Sequence, residues 1–201
     1  IEKLKDGAVE TPLLNSAVLR TLEKKGIIEF LTKRQYREAY DQSKYKKSEK
    51  YVPTEEQKAV IDYLDEKIIK GEPDTVLLHG VTGSGKTEVF LQAIETCIKN
   101  GKTAIMLVPE ISLTPQMVQR FVSRFGSDVA VIHSKLSPGE RLDQWQKIHD
   151  GDISVVVGAR SAIFAPLENI GIIILDEEHE NSYKSDTTPK YLTHDVAKKR
   201  C

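Results

Sequence analysis

Five short runs of uninterrupted apolar residues recur along the chain: TVLLH (75–79), TAIMLV (103–108), VAVI (129–132), ISVVV (153–157) and GIIIL (171–175). Strands with one wet face alternate apolar and polar residues, whereas continuous runs of this length belong to strands covered on both faces. Segments compatible with helices separate them, over 86–99, 112–125 and 138–150. Strand and helix in regular alternation predict an α/β fold with a parallel, doubly wound sheet. A further helix is expected over 54–70, with Thr54 as its N-cap and Gly71 as its stop.

The first run leads directly into GVTGSGKT, residues 80–87, and EVFLQAIETCIKN follows. Every fixed position of G-x-x-x-x-G-K-[ST] is filled, with a strand pattern before it and a helix pattern after it. In such a loop, Gly80, Val81, Thr82, Gly83, Ser84 and Gly85 present backbone N–H groups to phosphate oxygens. The N-terminus of the following helix adds its positive field. Lys86 is placed to reach the β- and γ-phosphates, and the Thr87 hydroxyl to ligate magnesium. The expected ligand is a nucleoside triphosphate with its magnesium ion.

The last run ends in Asp176, Glu177 and Glu178, followed by His179. Three adjacent carboxylates repel one another, and packing alone does not ask for them. In parallel sheets, ligand chemistry collects beyond the carboxyl ends of the strands. Asp176 is therefore assigned to the same magnesium ion as Thr87, and Glu177 to orienting and deprotonating a water. Lys86, Asp176 and Glu177 form the expected catalytic set. Acids that merely cap a strand are the competing reading.

The net charge of −1 conceals an asymmetry: residues 1–50 carry 12 Lys and Arg against 8 Asp and Glu, and residues 51–201 carry 17 against 22. The basic excess lies in 31–50, where Tyr36, Tyr40 and Tyr45 interleave with it. Nucleic acid is attracted to such a surface, although a solvated linker has the same composition. Upstream, Leu14, Val18, Leu19 and Leu22 form an apolar stripe at helical spacing, with Gly26 as a stop and a short strand after it. Helix, stop and strand suit a small winged-helix-like unit and equally a generic packing element. No apolar run approaches the ~20 residues of a membrane span, and two cysteines, Cys97 and Cys201, make no disulfide framework. A cytoplasmic setting is expected. Because the chain begins without Met and stops inside a helical pattern, it is read as truncated at both ends.

Four further stretches carry a resemblance. DEEH (176–179) looks like the DEAH/DEXH box of superfamily 2 helicases and translocases, and LVPEISLTPQMVQRF (107–121) looks like their motif Ia. VVVGARSAIFAP (155–166) looks like their GTRSA-type motif, and PTEEQKAV (53–60) holds Gln57 where many of them read adenine. With IHSKLSPGERLDQW and LDEEHENSYK, this order of motifs over 51–201 resembles the primosomal replication-restart DNA helicases.

That resemblance implies a winged helix over 1–50 and, over 51–201, the first RecA-like, ATP-binding lobe of a 3′ to 5′ DNA helicase. It implies nucleic-acid contacts at Pro109, Glu110, Thr114, Gly158, Ala159, Arg160, Ser161, Tyr183 and Lys184, with His179 coupling the nucleotide site to the DNA groove. Forked and single-stranded DNA, single-strand-binding protein, and primosome and helicase-loading proteins are the implied partners; no membrane is. Zinc-binding cysteines and a second lobe are expected beyond residue 201, so the chain alone is expected to turn over little ATP. Two rivals stay open: another superfamily 2 motor acting on RNA or duplex, and a docking module whose ATP site is a switch.

Overall fold

The computed structural model describes residues 15–30, 48 and 50–201. Leu14 and nearly all of the basic stretch 31–50, with its three tyrosines, lie outside the described residues. The chain divides into two compact units, residues 1–35 and 36–201. In the first, α1 spans Ser16–Lys24, started by Asn15, whose side chain accepts from the Ala17 N–H. Leu19 is buried and Val18 is exposed on this helix, and the described residues 27–30 that follow carry no strand.

The second unit is an α/β layer structure. Its elements are α2 (Glu55–Lys70), α3 (Lys86–Lys99), β1 (Thr103–Leu107), α4 (Pro115–Phe125), β2 (Val129–Ile132), α5 (Pro138–His149), β3 (Val155–Gly158), β4 (Ile170–Leu175) and α6 (Thr193–Arg200). All strand pairs are parallel, in the order β2-β3-β1-β4. Alternate strand residues point to opposite faces. Ala104, Met106, Val131, Val155 and Val157 pack with α3 and α4 residues such as Leu91, Ile94 and Phe121. Ile105, Leu107, Ala130 and Val156 pack on the other face with Ile148 of α5 and Ala197 of α6. Both faces are covered, as the continuous apolar runs require.

The expectation of a strand over 75–79 does not hold. Residues 72–81 have no regular structure, and Val76 and Leu77 are exposed. An apolar run becomes a buried strand only where a ladder partner takes up its N–H and C=O groups. Among the described strands none pairs with it, and β4 forms one edge of the sheet with β1 as its sole neighbour.

Registers align the carboxyl ends of three strands. Leu107 stands opposite Gly158 on one side and Leu175 on the other. The segments that leave those ends, 108–114, 159–165 and 176–184, therefore emerge along one rim of the sheet, where the Asp176 N–H donates to the Leu107 carbonyl at 2.9 Å. Gly158 is required there by packing, because a Cβ would meet the Ile132 carbonyl oxygen at 2.5 Å and the Ala162 Cβ at 2.7 Å.

Candidate nucleotide site and nucleic-acid rim

The phosphate loop is closed by its own residues. Lys86 Nζ donates to the carbonyls of Gly80 (2.6 Å) and Val81 (3.0 Å), so the ammonium folds back over the loop from which it emerges. Gly85, at φ 82°, caps α3 in the left-handed region that other residues rarely adopt. Gln57 presses on it from α2: a Cβ at Gly85 would lie 2.4 Å from Gln57 Nε2. That nitrogen donates to the Ser84 carbonyl at 2.8 Å, while Gln57 Oε1 accepts from the Thr54 N–H at 2.9 Å. Both ends of the Gln57 amide are thus committed, one to a capping box and the other to the loop. In this conformation Gln57 braces the cradle rather than offering its edge to a base. Val81, Thr82, Gly83 and Ser84 are exposed, and Lys86 and Thr87 are half-buried, which suits a loop that receives a ligand.

Asp176 directly follows β4 at the carboxyl end of the sheet. Burial raises its carboxyl above the usual range, and the charge of Glu177 adds to that; the Glu177 N–H and the Lys86 ammonium pull the other way. Lys86 and Asp176 therefore lie close enough to feel each other's charge, although 90 residues separate them in sequence. Glu177 has φ 49°, a left-handed conformation that is uncommon outside glycine, and its N–H donates to Asp176 Oδ1 at 3.0 Å. Glu178 and His179 are exposed beyond it. Among the described residues no three His, Cys, Asp or Glu side chains group as a metal site. A cation here would draw its ligands from Thr87, Asp176 and the phosphates, a donor set of hard oxygens that suits magnesium.

The half-buried carboxyl has a consequence for stability. A group whose folded pKa is raised stabilises the fold below its ordinary pKa and loses that contribution as pH rises through the folded value. Ionised Asp176 is thus a cost to the nucleotide-free fold at neutral pH. Asp176→Asn, which keeps an acceptor for the Glu177 N–H, is expected to melt higher than the parent at pH 7. The gap should close as pH falls through the carboxylate range. Melting curves across that range check this; a lower melting temperature at pH 7 would contradict it.

The rim residues divide into two groups. Glu110 and Ser161 are exposed, and the Lys184 side chain is exposed too. The others are occupied by the fold. Pro109 is buried. Thr114 caps α4, its hydroxyl accepting from the Met117 N–H at 3.3 Å. Arg160 donates to the Ser182 carbonyl at 3.2 Å and to that of Lys184, with its guanidinium 5.7 Å from the centre of the Tyr191 ring. Gly158 and Ala159 offer backbone only, and the Ala159 N–H reaches the Ile132 carbonyl at 3.4 Å.

Tyr183 departs most from expectation. It is 2% exposed, and its hydroxyl lies 3.0 Å from the Leu107 carbonyl and 2.7 Å from that of Asp176. The single phenolic proton is shared between the end of β1 and the acid cluster. Burial raises the phenol well above its ordinary pKa, so the proton stays in place at any physiological pH. A tyrosine so placed struts the loop and cannot stack on a base.

The structure brings forward Arg124, which sequence reasoning passed over, and Ser112, which it read only as part of motif Ia and the start of a helix. Arg124 of α4, its side chain 3% exposed, pairs with Glu88 at 2.8 Å and with Glu95, both on α3. Its position in an amphipathic helix gives no sign of burial. Ser112 donates to Glu177 Oε2 at 3.2 Å from the turn after β1. Only the nearness of its motif to the acid cluster in the sheet could have suggested it. Trp145 is 39% exposed on α5, whereas Cys97 is buried and its thiol is pushed up to about 12.

Comparison with known proteins agrees with this arrangement. The DEAD/DEAH box helicase family matches residues 54–198. The chain is 54% identical to the replication restart protein PriA of Bacillus subtilis over 186 residues, which is 92% of the chain and 23% of that protein. It is 42% identical to replication restart protein PriA of Chlamydia muridarum over 92% of the chain and 25% of that protein. With the Treponema pallidum protein of the same name it shares 56% over 62% of the chain and 19% of that protein. The chain thus spans about a quarter or less of these relatives' lengths. A parallel sheet with an acid box at the carboxyl end of β4 and a phosphate loop opening α3, matched over residues 54–198, places this chain in the DEAD/DEAH box helicase family.

Proposed function

We propose that the chain is the ATP-binding lobe of an ATP-dependent DNA helicase that restarts replication at stalled or repaired forks, unwinding 3′ to 5′. The observation that carries this reading is the phosphate loop that opens α3, with Lys86 folded over its carbonyls, in the same unit as an acid cluster that leaves the carboxyl end of β4 where the strand ends align. Lys86 exchanges its two loop carbonyls for the β- and γ-phosphates, and the N–H groups of 80–85 hold the remaining phosphate oxygens. Thr87 and Asp176 hold magnesium, which when bound offsets the charge of the phosphates and of the acid cluster. Glu177 orients the attacking water and takes its proton.

Glu110, Ser161 and Lys184 line the rim on which a single strand lies, with Gly158 and Ala159 as its floor; His179 stands between that track and the nucleotide. The buried Tyr183 and the engaged Arg160 act as the scaffold of this track. A second RecA-like lobe elsewhere in the full-length protein supplies the arginine that stabilises the transferring phosphoryl group. A winged-helix unit within 1–50 adds affinity for forks, and zinc belongs to a segment outside this chain. Single-strand-binding protein and the helicase-loading machinery are the partners of that whole, working in the cytoplasm; no helix among the described residues is long and apolar enough to cross a membrane.

The family also contains motors on other tracks, so the choice of nucleic acid is the test. Full-length protein should show ATP turnover stimulated strongly by single-stranded DNA and weakly by RNA of the same sequence, and should unwind forked DNA. Stimulation by RNA or by blunt duplex alone would instead assign the lobe to an RNA helicase or a duplex translocase.

A further inference from the structure

Ser112 and Glu177 meet across 65 residues of sequence, the serine Oγ donating to Glu177 Oε2 at 3.2 Å. The serine sits in the tight 3-10 turn Glu110–Ser112 that follows β1. Two backbone bonds stiffen this turn, from the Ser112 N–H to the Pro109 carbonyl and from the Thr114 N–H to the Ser112 carbonyl, both at 2.8 Å. Its tip is open to solvent, for Ile111 is 87% exposed. On the other side Glu177 is held in its left-handed backbone conformation by its own N–H on Asp176 and by the Glu180 N–H, which donates to the Glu177 carbonyl at 2.9 Å. Behind both, the Tyr183 hydroxyl ties the Leu107 and Asp176 carbonyls together. The two backbones are therefore fixed relative to each other, and the Ser112–Glu177 bond is the part that a side-chain rotation can break.

We infer that Ser112 is a positioning residue whose hydroxyl holds the Glu177 carboxylate at rest, and that a single strand seated on the turn 109–114 withdraws it. This rests on the proposed role of Glu177. A hydroxyl donating to a carboxylate occupies one of its lone pairs and fixes its orientation, so the bonded oxygen is not free to accept a proton from water. Once released, Glu177 takes the proton of the attacking water as the water oxygen bonds to the γ-phosphorus and the bond to the β–γ bridging oxygen breaks, releasing ADP and phosphate. The turn then reports strand binding to the chemistry through one hydrogen bond.

The test is ATP turnover by the full-length protein with and without single-stranded DNA, in the parent, Ser112→Ala, Ser112→Thr and Glu177→Gln proteins and in the Ser112→Ala/Glu177→Gln double variant. Ser112→Ala is expected to raise DNA-free turnover about two- to tenfold, the scale of one lost hydrogen bond, and to shrink the stimulation by DNA by a similar factor. Ser112→Thr, which keeps the hydroxyl, should restore the parent ratio, and Ser112→Ala should have no effect in the Glu177→Gln background. An unchanged or lowered DNA-free rate in Ser112→Ala, in an enzyme that Glu177→Gln disables, would overturn this inference alone. Full turnover in Glu177→Gln would overturn the reading of Glu177 and the inference with it.

Discussion

Lys86→Ala is expected to lower ATP turnover of the full-length protein by about a thousandfold or more, while its affinity for forked DNA stays within a few-fold of the parent. The magnitude follows from what the ammonium does. A preorganised charge aimed at developing phosphoryl charge in a water-poor site is worth about two to five powers of ten in rate. Lys86 is already stationed over the loop by the Gly80 and Val81 carbonyls, which it exchanges for phosphate oxygens when a nucleotide arrives. Fork affinity should survive because the groups proposed to hold DNA, Glu110, Ser161 and Lys184, come from other segments of the rim. Steady-state turnover and fork titration on one preparation check both halves. Turnover within tenfold of the parent would remove Lys86 from the chemistry, and a loss of fork affinity by orders of magnitude would place DNA on the phosphate loop.

Arg124→Ala is expected to destabilise the fold by about 3–5 kcal/mol, the usual result of removing one partner from a buried ion pair. The guanidinium joins α4 to two acids of α3, and its side chain is 3% exposed. Removal leaves Glu88 and Glu95 largely desolvated, at 14% and 15% exposure, without their cation. The lower end of the range is favoured because each acid keeps one neighbour, Gln92 at 2.8 Å from Glu88 and Lys50 beside Glu95. Arg124→Lys should recover only part of the loss, since an ammonium lacks the planar fork that reaches two carboxylates at once. Thermal melting checks this, with an expected drop of roughly 6–12 °C for a domain of this size. A drop below 2 °C would mean that the pair is solvated in solution. Because Glu88 directly follows Thr87, the same substitution should also weaken nucleotide binding.

Local rules were legible where local chemistry decides the outcome. The T-E-E-Q start and the glycine stop bound α2, and the helix after the phosphate loop begins at Lys86 as its motif requires. Parallel topology and two-sided burial followed from the continuous apolar runs. The run 75–79 misled because strand formation is a property of the ladder as much as of the segment: the apolar residues are present and the neighbour is not. The site was legible in its composition and less so in its contacts. Motif position alone marks Tyr183 and Arg160 as outward-facing, yet both are turned inward, the tyrosine onto two carbonyls and the arginine onto the chain that follows the acid cluster. Gln57 likewise spends its amide on the cap and the loop. Pairings such as Ser112 with Glu177, or Arg124 with Glu88, join distant segments and carry no periodicity by which a sequence could announce them.

The central claim is that the phosphate loop and the acid cluster close around one magnesium–nucleotide complex. A crystal structure of the protein with magnesium and a non-hydrolysable ATP analogue tests it most directly. The account predicts a single metal bonded to Thr87 Oγ1 at about 2.0–2.1 Å, with the Asp176 carboxylate on the metal or on one of its waters and Lys86 Nζ on the terminal phosphate. A nucleotide bound away from residues 80–87, or a metal to which Asp176 contributes neither directly nor through a water, would contradict it.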